Sequence, residues 1–314
     1  MKIITPSVEI INQKPGLQGI YEQIELAGRT CYASSHVIEY DKNDNSITAE
    51  KFVKRMIDSK HLAMCEHGTV YLKSTYDVSA IGSWDHSIAR RYSNNKYSVV
   101  NYDEYMDLKS IYVTTNLRVL IENDWLDDLQ YLCEPTEYHE KRVTVRFQTD
   151  RGVSAECNRH RVDSMAERST RYCNYSKNKF NNEITITANS DISELQANVC
   201  LNTWSENRDP FYEMCDHIAH FEGEEQFEII DYWLFANLTC EWSYMNLLSK
   251  GWKPQQARRV LPLDLHTELV HTAFISDWKR FLDMRYKGTT GTPHPDMLLI
   301  SSPLYEKLKE LIND

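Results

Sequence analysis

Residues 159–172 read RHRVDSMAERSTRY and concentrate four arginines, Arg159, Arg161, Arg168 and Arg171, in one short segment. The whole chain, by contrast, has a formal net charge of −11. An acidic protein with a single arginine-rich segment is expected to form a local anion pocket rather than a broad nucleic-acid surface. Arginine also suits this purpose better than lysine, because its planar fork holds a phosphate through two parallel hydrogen bonds. The segment therefore predicts a phosphate-binding site, with a solvated arginine-rich helix face as the alternative.

The composition is that of an ordinary globular protein. The chain has 314 residues, of which 41% are hydrophobic and 26% charged, enough to build a substantial core. No apolar run is long enough to cross a bilayer, and the N-terminal residues lack the layout of a signal peptide. The eight cysteines are scattered singly, without a C-x-x-C pair, which favours reduced thiols over disulfides or a zinc site. We therefore expect a soluble protein of the cytoplasm.

Hydrophobic periodicity and capping residues predict an alternation of strands and helices. Strands are predicted at residues 1–12, 69–72, 97–100, 111–115, 143–147 and 183–187. Helices are predicted at residues 17–31, 48–59, 117–132, around Arg159–Arg161, around Leu195–Trp204, at 227–250, from Pro254 onward, and from Phe274 to Arg285. No glycine-rich phosphate loop is present, so side chains and helix ends would have to hold any dinucleotide.

The arginine-rich segment resembles the signature of the flavin-dependent thymidylate synthases, R-H-R-x-x-S-x-N-E-x-S-x-R-Y. The chain matches it at Arg159, His160, Arg161, Ser164, Glu167, Ser169, Arg171 and Tyr172. Three further segments resemble parts of the same family: His61–His67, Tyr244–Thr267, and the last predicted helix with His294 beyond it. The similarity covers roughly residues 20–72 and 143–297. Residues 74–141 are interpreted as an insertion, reading strand–strand–helix, in a single domain that spans residues 1–314.

The resemblance implies an α+β fold, a mostly antiparallel sheet flanked by helices, in a homotetramer whose active sites are shared between subunits. It implies that FAD, reduced by NADPH, helps transfer the methylene of methylenetetrahydrofolate to carbon 5 of dUMP, yielding dTMP. No cysteine nucleophile is required, and Cys157 and Cys173, which flank the signature, are interpreted as buried thiols. No metal, nucleic acid or membrane is implied.

The resemblance also assigns roles to individual residues. The substrate-binding residues that it implies are Arg159, Glu167, Ser169, Arg171, Arg258 and Arg285. The cofactor-binding residues are His61, Glu66, Arg159, His160, Arg161, Glu167, Arg280 and His294. Catalytic roles fall to Arg285, whose fork can polarise the uracil carbonyls, and to Ser169, which is better suited to phosphate binding than to nucleophilic attack.

The chain departs from the family pattern at several positions. Ala166 replaces the signature asparagine, and Glu156 stands where the family commonly has glutamine near the nucleotide. A carboxylate beside a phosphate is repulsive unless it is protonated or paired, for example with an arginine. Phe274, Ser276, Arg280 and the run His294–Met297 also differ from the usual residues. These changes leave two alternatives open. The contacts with the cofactor are rearranged, or the enzyme methylates or hydroxymethylates another pyrimidine nucleotide.

Two other function classes compete with this interpretation. A nucleic-acid-binding module would use the arginines on RNA or DNA, but a sequence pI near 5.5 disfavours a broad basic surface. A metal enzyme would use His217 with His220, or His266 with His271. Neither pair has the accompanying carboxylate of a motif such as H-E-x-x-H, so both are interpreted as ordinary core or surface histidines.

Overall fold

The structure, a computed structural model, describes residues 1–77, 88–105, 108–205, 208–219 and 227–313. The strands are β1 (Lys2–Ile4), β2 (Ser7–Ile11), β3 (Thr69–Asp77), β4 (Val99–Tyr105), β5 (Leu108–Asn116), β6 (Arg142–Asp150), β7 (Ser164–Glu167), β8 (Thr185–Thr187) and β9 (His266–Phe274). The helices are α1 (Gly16–Cys31), α2 (Ala49–Asp58), α3 (Ile88–Ser93), α4 (Leu117–Glu122), α5 (Arg151–Cys157), α6 (Glu194–Trp204), α7 (Pro210–Ala219), α8 (Ile229–Ser249), α9 (Pro254–Ala257), α10 (Ile275–Arg285) and α11 (Pro295–Asn313).

The strands form three sheets. The central one has the order β2-β6-β9-β7, and a second has the order β3-β5-β4, both antiparallel throughout. The third sheet pairs β1 with β8 in parallel. Helices flank the sheets, so the predicted α+β class with a mostly antiparallel sheet is confirmed.

The central sheet has a separate hydrophobic cluster on each side. On one side, α10 and α11 pack on β6 and β9, with Trp278, Phe281 and Leu282 fully buried. On the other side, α1 and α2 pack together with the second sheet, around Ile20, Ile24 and residues such as Val270 from β9. Burying both faces fixes the register of β9, because a one-residue slip would exchange its two sets of side chains.

The arginine-rich segment differs from its sequence prediction. We expected a helix carrying Arg159, His160 and Arg161, but α5 ends at Cys157 and residues 158–163 form a turn. The Asp150 carboxylate caps the start of α5 by accepting the backbone N–H of Val153 at 2.8 Å. Strand β7, which the sequence did not predict, follows the turn because residues 164–167 pair with β9.

Other helices and strands also differ from their sequence predictions. The opening strand is two strands, β1 and β2, which belong to different sheets and are separated at Thr5 and Pro6. The helix predicted at residues 117–132 breaks after α4, where Asp124 adopts a positive φ of 57°. Helices α7 and α11 were not predicted. Thr48 occupies the predicted N-cap of α2, but its hydroxyl donates to Glu25 instead of capping the helix.

The block at residues 74–141 contains the predicted two strands and a helix, in its described parts. Its strand β5 pairs along nine positions with β3, which begins before the block at Thr69. The block therefore shares a sheet with the preceding segment. That it is an insertion in a single domain stays a prediction.

Neither a membrane span nor a metal cluster is found among the described residues. None of their helices is both long and apolar enough to cross a bilayer. No group of three or more His, Cys, Asp or Glu side chains among them could hold a metal ion. His266 and His271 lie five residues apart on β9, so they point to opposite faces of the sheet. His220, the other candidate partner, lies outside the described residues.

Candidate active site

The signature turn, residues 158–163, displays arginines around a buried histidine. Arg159 and Arg161 are exposed and form no ion pair with any other described residue. His160 between them is 9% exposed and packs against Phe281, with 4.8 Å between ring centroids. Burial lowers the pKa of His160 to about 4, and its Nε2 has no hydrogen-bond partner in the described part of the chain. The turn therefore presents two cations and one neutral histidine.

The turn is held in place by a buried pair. His271 on β9 approaches Asp163 with 2.7 Å between Nε2 and Oδ2, and both side chains are buried. The His271 ring lies against Trp278 of α10, at 4.2 Å between centroids. The position of the signature turn is therefore set by the central sheet and α10 together.

The signature loop, residues 168–174, follows β7. The backbone N–H of Ser169 donates to the carbonyl of Cys31 at 2.8 Å, and its hydroxyl accepts the backbone N–H of Arg171 at 3.2 Å. Arg171 is exposed, with its guanidinium 5.5 Å from the ring centroid of Tyr172. Arg258 approaches the loop from another segment, 3.4 Å from the hydroxyl of Thr170. No described base contacts Ser169, and its role in phosphate binding stays a prediction.

Other arginines near the signature are already paired within the chain. Arg151 pairs with Glu167 at 2.7 Å, and Arg168 forms an ion pair with Glu268. Glu167 also accepts the hydroxyls of Ser154 at 2.6 Å and Thr267 at 3.1 Å. Its Oε1 atom therefore ties β7 to α5 and β9. The role of Glu167 toward substrate and cofactor stays a prediction.

Arg285 is also paired, with Glu156 at the end of α5. Its Nη1 lies 2.7 Å from Glu156 Oε2, and its Nη2 donates to the Glu156 backbone oxygen at 2.9 Å. From the sequence we expected that an arginine could pair with the Glu156 carboxylate, but not which arginine. Because Glu156 is close to the signature turn, this pair belongs to the same end of β7 as Arg159 and Arg161.

The segment His61–His67 lies against this region through a residue that the sequence analysis missed. The half-buried Arg142 donates to the backbone oxygen of Glu66 at 3.1 Å and to the hydroxyl of Ser164 at 3.2 Å. The Glu66 carboxylate itself pairs with Arg118, which was also missed. His61 is exposed. The sequence signal for Arg142 was its place immediately before the predicted strand at residues 143–147.

Arg280 and His294 are the remaining predicted residues. Arg280 is 68% exposed, 3.7 Å from Asp277 on the same helix, and its charge lies close enough to affect His160. His294 is exposed and its described ionic contact is with Asp296, two residues away. The structure brings Arg280 toward the signature turn but shows no contact between His294 and the other candidates.

The candidates therefore fall into two groups at opposite ends of β7. The signature turn with Arg285 lies at one end, and the signature loop with Arg258 lies at the other. A strand of four residues is about 13 Å long. Within a single chain, the four residues of β7 thus separate the two groups along the backbone.

The cysteines that flank the signature are buried, as the sequence analysis expected. Cys157 and Cys173 are both 0% exposed. Burial raises the pKa of the Cys157 thiol to about 12 and also raises that of Cys173. Because the thiolate is the reactive form, neither is suited to attack a substrate at neutral pH.

Comparison with known proteins identifies the family. The model of the family described as thymidylate synthase complementing protein matches residues 134–309, which include the signature, α5, β7, β9 and α10. This chain belongs to that family. It is the flavin-dependent family, and the chain is therefore an enzyme of the thymidylate synthase type, a methyltransferase. The resemblance inferred from the signature is confirmed.

Two of the solved structures similar to this chain are those of the UMP/dUMP methylase PolB from Streptomyces cacaoi, bound with 5-Br dUMP and with 5-Br UMP. Each is 12% identical to this chain, and the alignments cover 99% of this chain and 91% and 92% of theirs. The TM-scores are 0.39 and 0.40. No curated protein matches the chain.

Proposed function

We propose that this enzyme carries out the reductive methylation of a pyrimidine deoxynucleotide, dUMP in the first instance. The observation that carries the proposal is the division among the arginines of the signature region. Arg151 and Arg168 are neutralised by glutamates within the chain, whereas Arg159, Arg161 and Arg171 are exposed without an acidic partner among the described residues. Exposed, unneutralised arginines in an acidic protein suit the binding of phosphate groups.

In the proposed reaction, the methylene carbon of methylenetetrahydrofolate bonds to carbon 5 of the pyrimidine, and the proton at carbon 5 leaves. Two electrons and a hydrogen from NADPH, delivered through FAD, reduce the methylene to a methyl group and release tetrahydrofolate. The flavin supplies the hydride chemistry that amino-acid side chains lack. The residues of the chain bind and orient the reactants and exclude water.

The signature turn fits an anionic flavin dinucleotide. Arg159 and Arg161 offer charge to its phosphates, and the unpartnered Nε2 of the buried His160 needs a hydrogen-bond partner that the described chain does not provide. We assign FAD binding to these three residues, with His61, Glu66, Glu167, Arg280 and His294 as further contacts. Substrate binding is assigned to Arg159, Glu167, Ser169, Arg171, Arg258 and Arg285.

We further propose a homotetramer in which different subunits contribute the two ends of β7 to one site. Strand β7, about 13 Å of extended backbone, lies between the signature turn and the signature loop, which supports this assembly. The exposure of Arg159, Arg161 and Arg171 supports it as well, since a second copy could complete the pocket around them.

The direct test is anaerobic incubation of the purified protein with FAD, NADPH, methylenetetrahydrofolate and dUMP, with products identified by mass. We expect dTMP whose formation requires both FAD and NADPH. If dUMP and flavin bind but no dTMP forms, dUMP is not the substrate, and other pyrimidine nucleotides are screened in the same assay.

Arg171→Ala is expected to raise the Kd for dUMP about 10- to 100-fold. Charge-assisted hydrogen bonds contribute about 1.5–3 kcal/mol, and Arg171 has no other ionic partner among the described residues. Equilibrium binding by calorimetry measures the change. Arg208→Ala is the matched control, because Arg208 is surface-exposed and pairs with Glu213. Unchanged dUMP affinity in Arg171→Ala would remove Arg171 from the phosphate site.

A further inference from the structure

A cavity of about 450 Å³ opens where β2 separates from β6. Strand β2 pairs with β6 only as far as Ile11, opposite Thr144, so the first two residues of β6 have no partner on β2. The chain turns toward α1 instead, and the Gln13 side chain bonds both the backbone N–H and the backbone oxygen of Thr69 on β3, each at 2.8 Å. The cavity therefore lies between the edge of the central sheet and the second sheet.

The size and much of the lining of this cavity suit a small molecule with an apolar body. Sites for small molecules enclose about 300–1,000 Å³ and are lined mainly by apolar side chains. Burying an apolar ligand against such side chains removes both surfaces from water. The aliphatic side chains of the lining are Ile10, Ile11, Ile20, Leu132, Val143 and Leu311.

Arg142 brings an unpaired positive charge to the cavity. It is half-buried, and in the described part of the chain its Nη atoms donate only to neutral oxygens, those of the Glu66 backbone and of two hydroxyls. Its Nε is buried and has no hydrogen-bond partner there. Burial lowers the pKa of Arg142 to about 10, so the side chain is still charged at neutral pH. An anion would compensate this charge.

Two further donors of the lining are unused. The Tyr71 hydroxyl accepts the backbone N–H of Arg142 at 3.2 Å, and its own proton has no acceptor among the described residues. The Lys141 ammonium is exposed and forms no ion pair with any of them. Lys14, by contrast, is paired with two acids. The one acid of the lining is Glu134, which is exposed. Two unpaired cations and one carboxylate leave a net charge of about +1 in the lining.

We propose that this cavity binds a small organic carboxylate with an apolar body, in addition to the reactants of the proposed reaction. The carboxylate accepts from the Tyr71 hydroxyl and pairs with Arg142 and Lys141, while the apolar body contacts the aliphatic side chains. A single negative charge balances the lining, whereas a phosphate monoester carries up to two. No residue assigned to FAD or dUMP lines the cavity, so the site is separate from the proposed active site.

The test measures the binding of indole-3-acetate to the purified protein by calorimetry, with the neutral indole-3-acetamide as the matched ligand. We expect the carboxylate to bind at least about 10-fold more tightly than the amide, because hydrogen bonds to charged groups are stronger than those between neutral groups. A second titration contains saturating FAD and dUMP. It should give the same affinity, since neither ligand occupies this cavity.

Two variants locate the bound carboxylate. Tyr71→Phe removes the unused donor and is expected to weaken indole-3-acetate binding about 10-fold, with a smaller loss for the amide. Lys141→Gln removes an exposed charge and is expected to weaken it about 3-fold. Tyr102→Phe and Lys54→Gln are the matched controls, because they make the same chemical changes at exposed positions outside the cavity lining.

Each outcome of the test bears on the inference. Binding of the carboxylate that both cavity variants weaken, and that both controls leave unchanged, supports it. Equal affinity for the acid and the amide overturns it, as does the absence of binding or an unchanged affinity in either cavity variant. Equal losses for the acid and the amide in Tyr71→Phe mean that Tyr71 only supports the fold, which also overturns it. Displacement by FAD or dUMP places the probe in the proposed active site and overturns it as well. The formation of dTMP tests the proposed function separately.

Discussion

Lowering the pH from 7.5 to 5.0 is expected to reduce the free energy of unfolding by about 4 kcal/mol. The main cause is a pair of buried histidines outside the proposed nucleotide site. Burial lowers the pKa of His67 from 6.5 to about 3 and that of His266 from 6.5 to about 3. His67 also shares a hydrogen bond with the Thr272 hydroxyl, at 2.9 Å.

The direction of the effect follows from proton uptake. In the unfolded chain both histidines gain a proton as the pH falls through 6.5, whereas in the folded protein they stay neutral until the pH approaches their lowered pKa. The unfolded state therefore binds more protons in this range and is stabilised by acid, by about 2 kcal/mol for each histidine at pH 5.0. His160, whose pKa burial lowers to about 4, acts in the same direction.

Urea unfolding at pH 7.5 and 5.0 measures this change. His67→Gln isolates one histidine and should reduce the difference between the two pH values by about 2 kcal/mol. Burial raises the pKa of the Asp150 and Asp277 carboxyls, and this opposes the loss of stability in acid. Both residues are present in the native protein and in His67→Gln, so their contribution cancels when the two proteins are compared. If the native protein and His67→Gln show the same pH dependence, His67 is not held neutral by the fold.

Asp163→Ala is expected to lower the free energy of unfolding by about 3 kcal/mol and to weaken nucleotide binding as well. The substitution leaves the buried Nε2 of His271 without its partner, and removing one member of a buried pair is strongly destabilising. The signature turn also loses its attachment to β9. Arg159, which is assigned to the substrate, then loses its fixed position, so the affinity for dUMP should fall although Arg171 is unchanged.

Asp163→Asn provides the matched control for this prediction. It keeps the shape of the side chain and an oxygen that can accept from His271, so its stability loss should be clearly smaller than that of Asp163→Ala. Chemical unfolding and calorimetric nucleotide titration give the two readouts. Equal stability of Asp163→Ala and the native protein would show that the buried pair does not hold the turn.

Several elements could be predicted from sequence because their signals are local. Helix α1 matches its predicted range within one residue, and α8 differs by two residues at its start. Gly251 follows α8 with a positive φ of 95°, as expected for a helix C-terminus, and Pro254 opens α9. The order of residues in the signature was sufficient to indicate the family, since it depends on identity and spacing alone.

The signature itself was placed on the wrong element because strand formation is not local. Residues 164–167 become β7 only through hydrogen bonds to β9, whose residues lie about a hundred positions further along the chain. The stretch has no strong strand pattern of its own, with Glu167 and Ser164 at its ends. Likewise, α4 ends early because Asp124 takes up a left-handed conformation, which periodicity does not reveal.

The sequence by itself determined the family and the concentration of arginines in one short segment. Only the tertiary structure decided which charges are available to a ligand. Arg168 and Arg171 are three residues apart and chemically identical, yet Glu268 neutralises Arg168 while Arg171 is exposed. Likewise, only the structure shows that the Glu156 carboxylate is paired, because its partner Arg285 lies 129 positions away along the chain. Coulomb energy depends on distance in space and on burial, and neither follows from the separation of two residues along the chain.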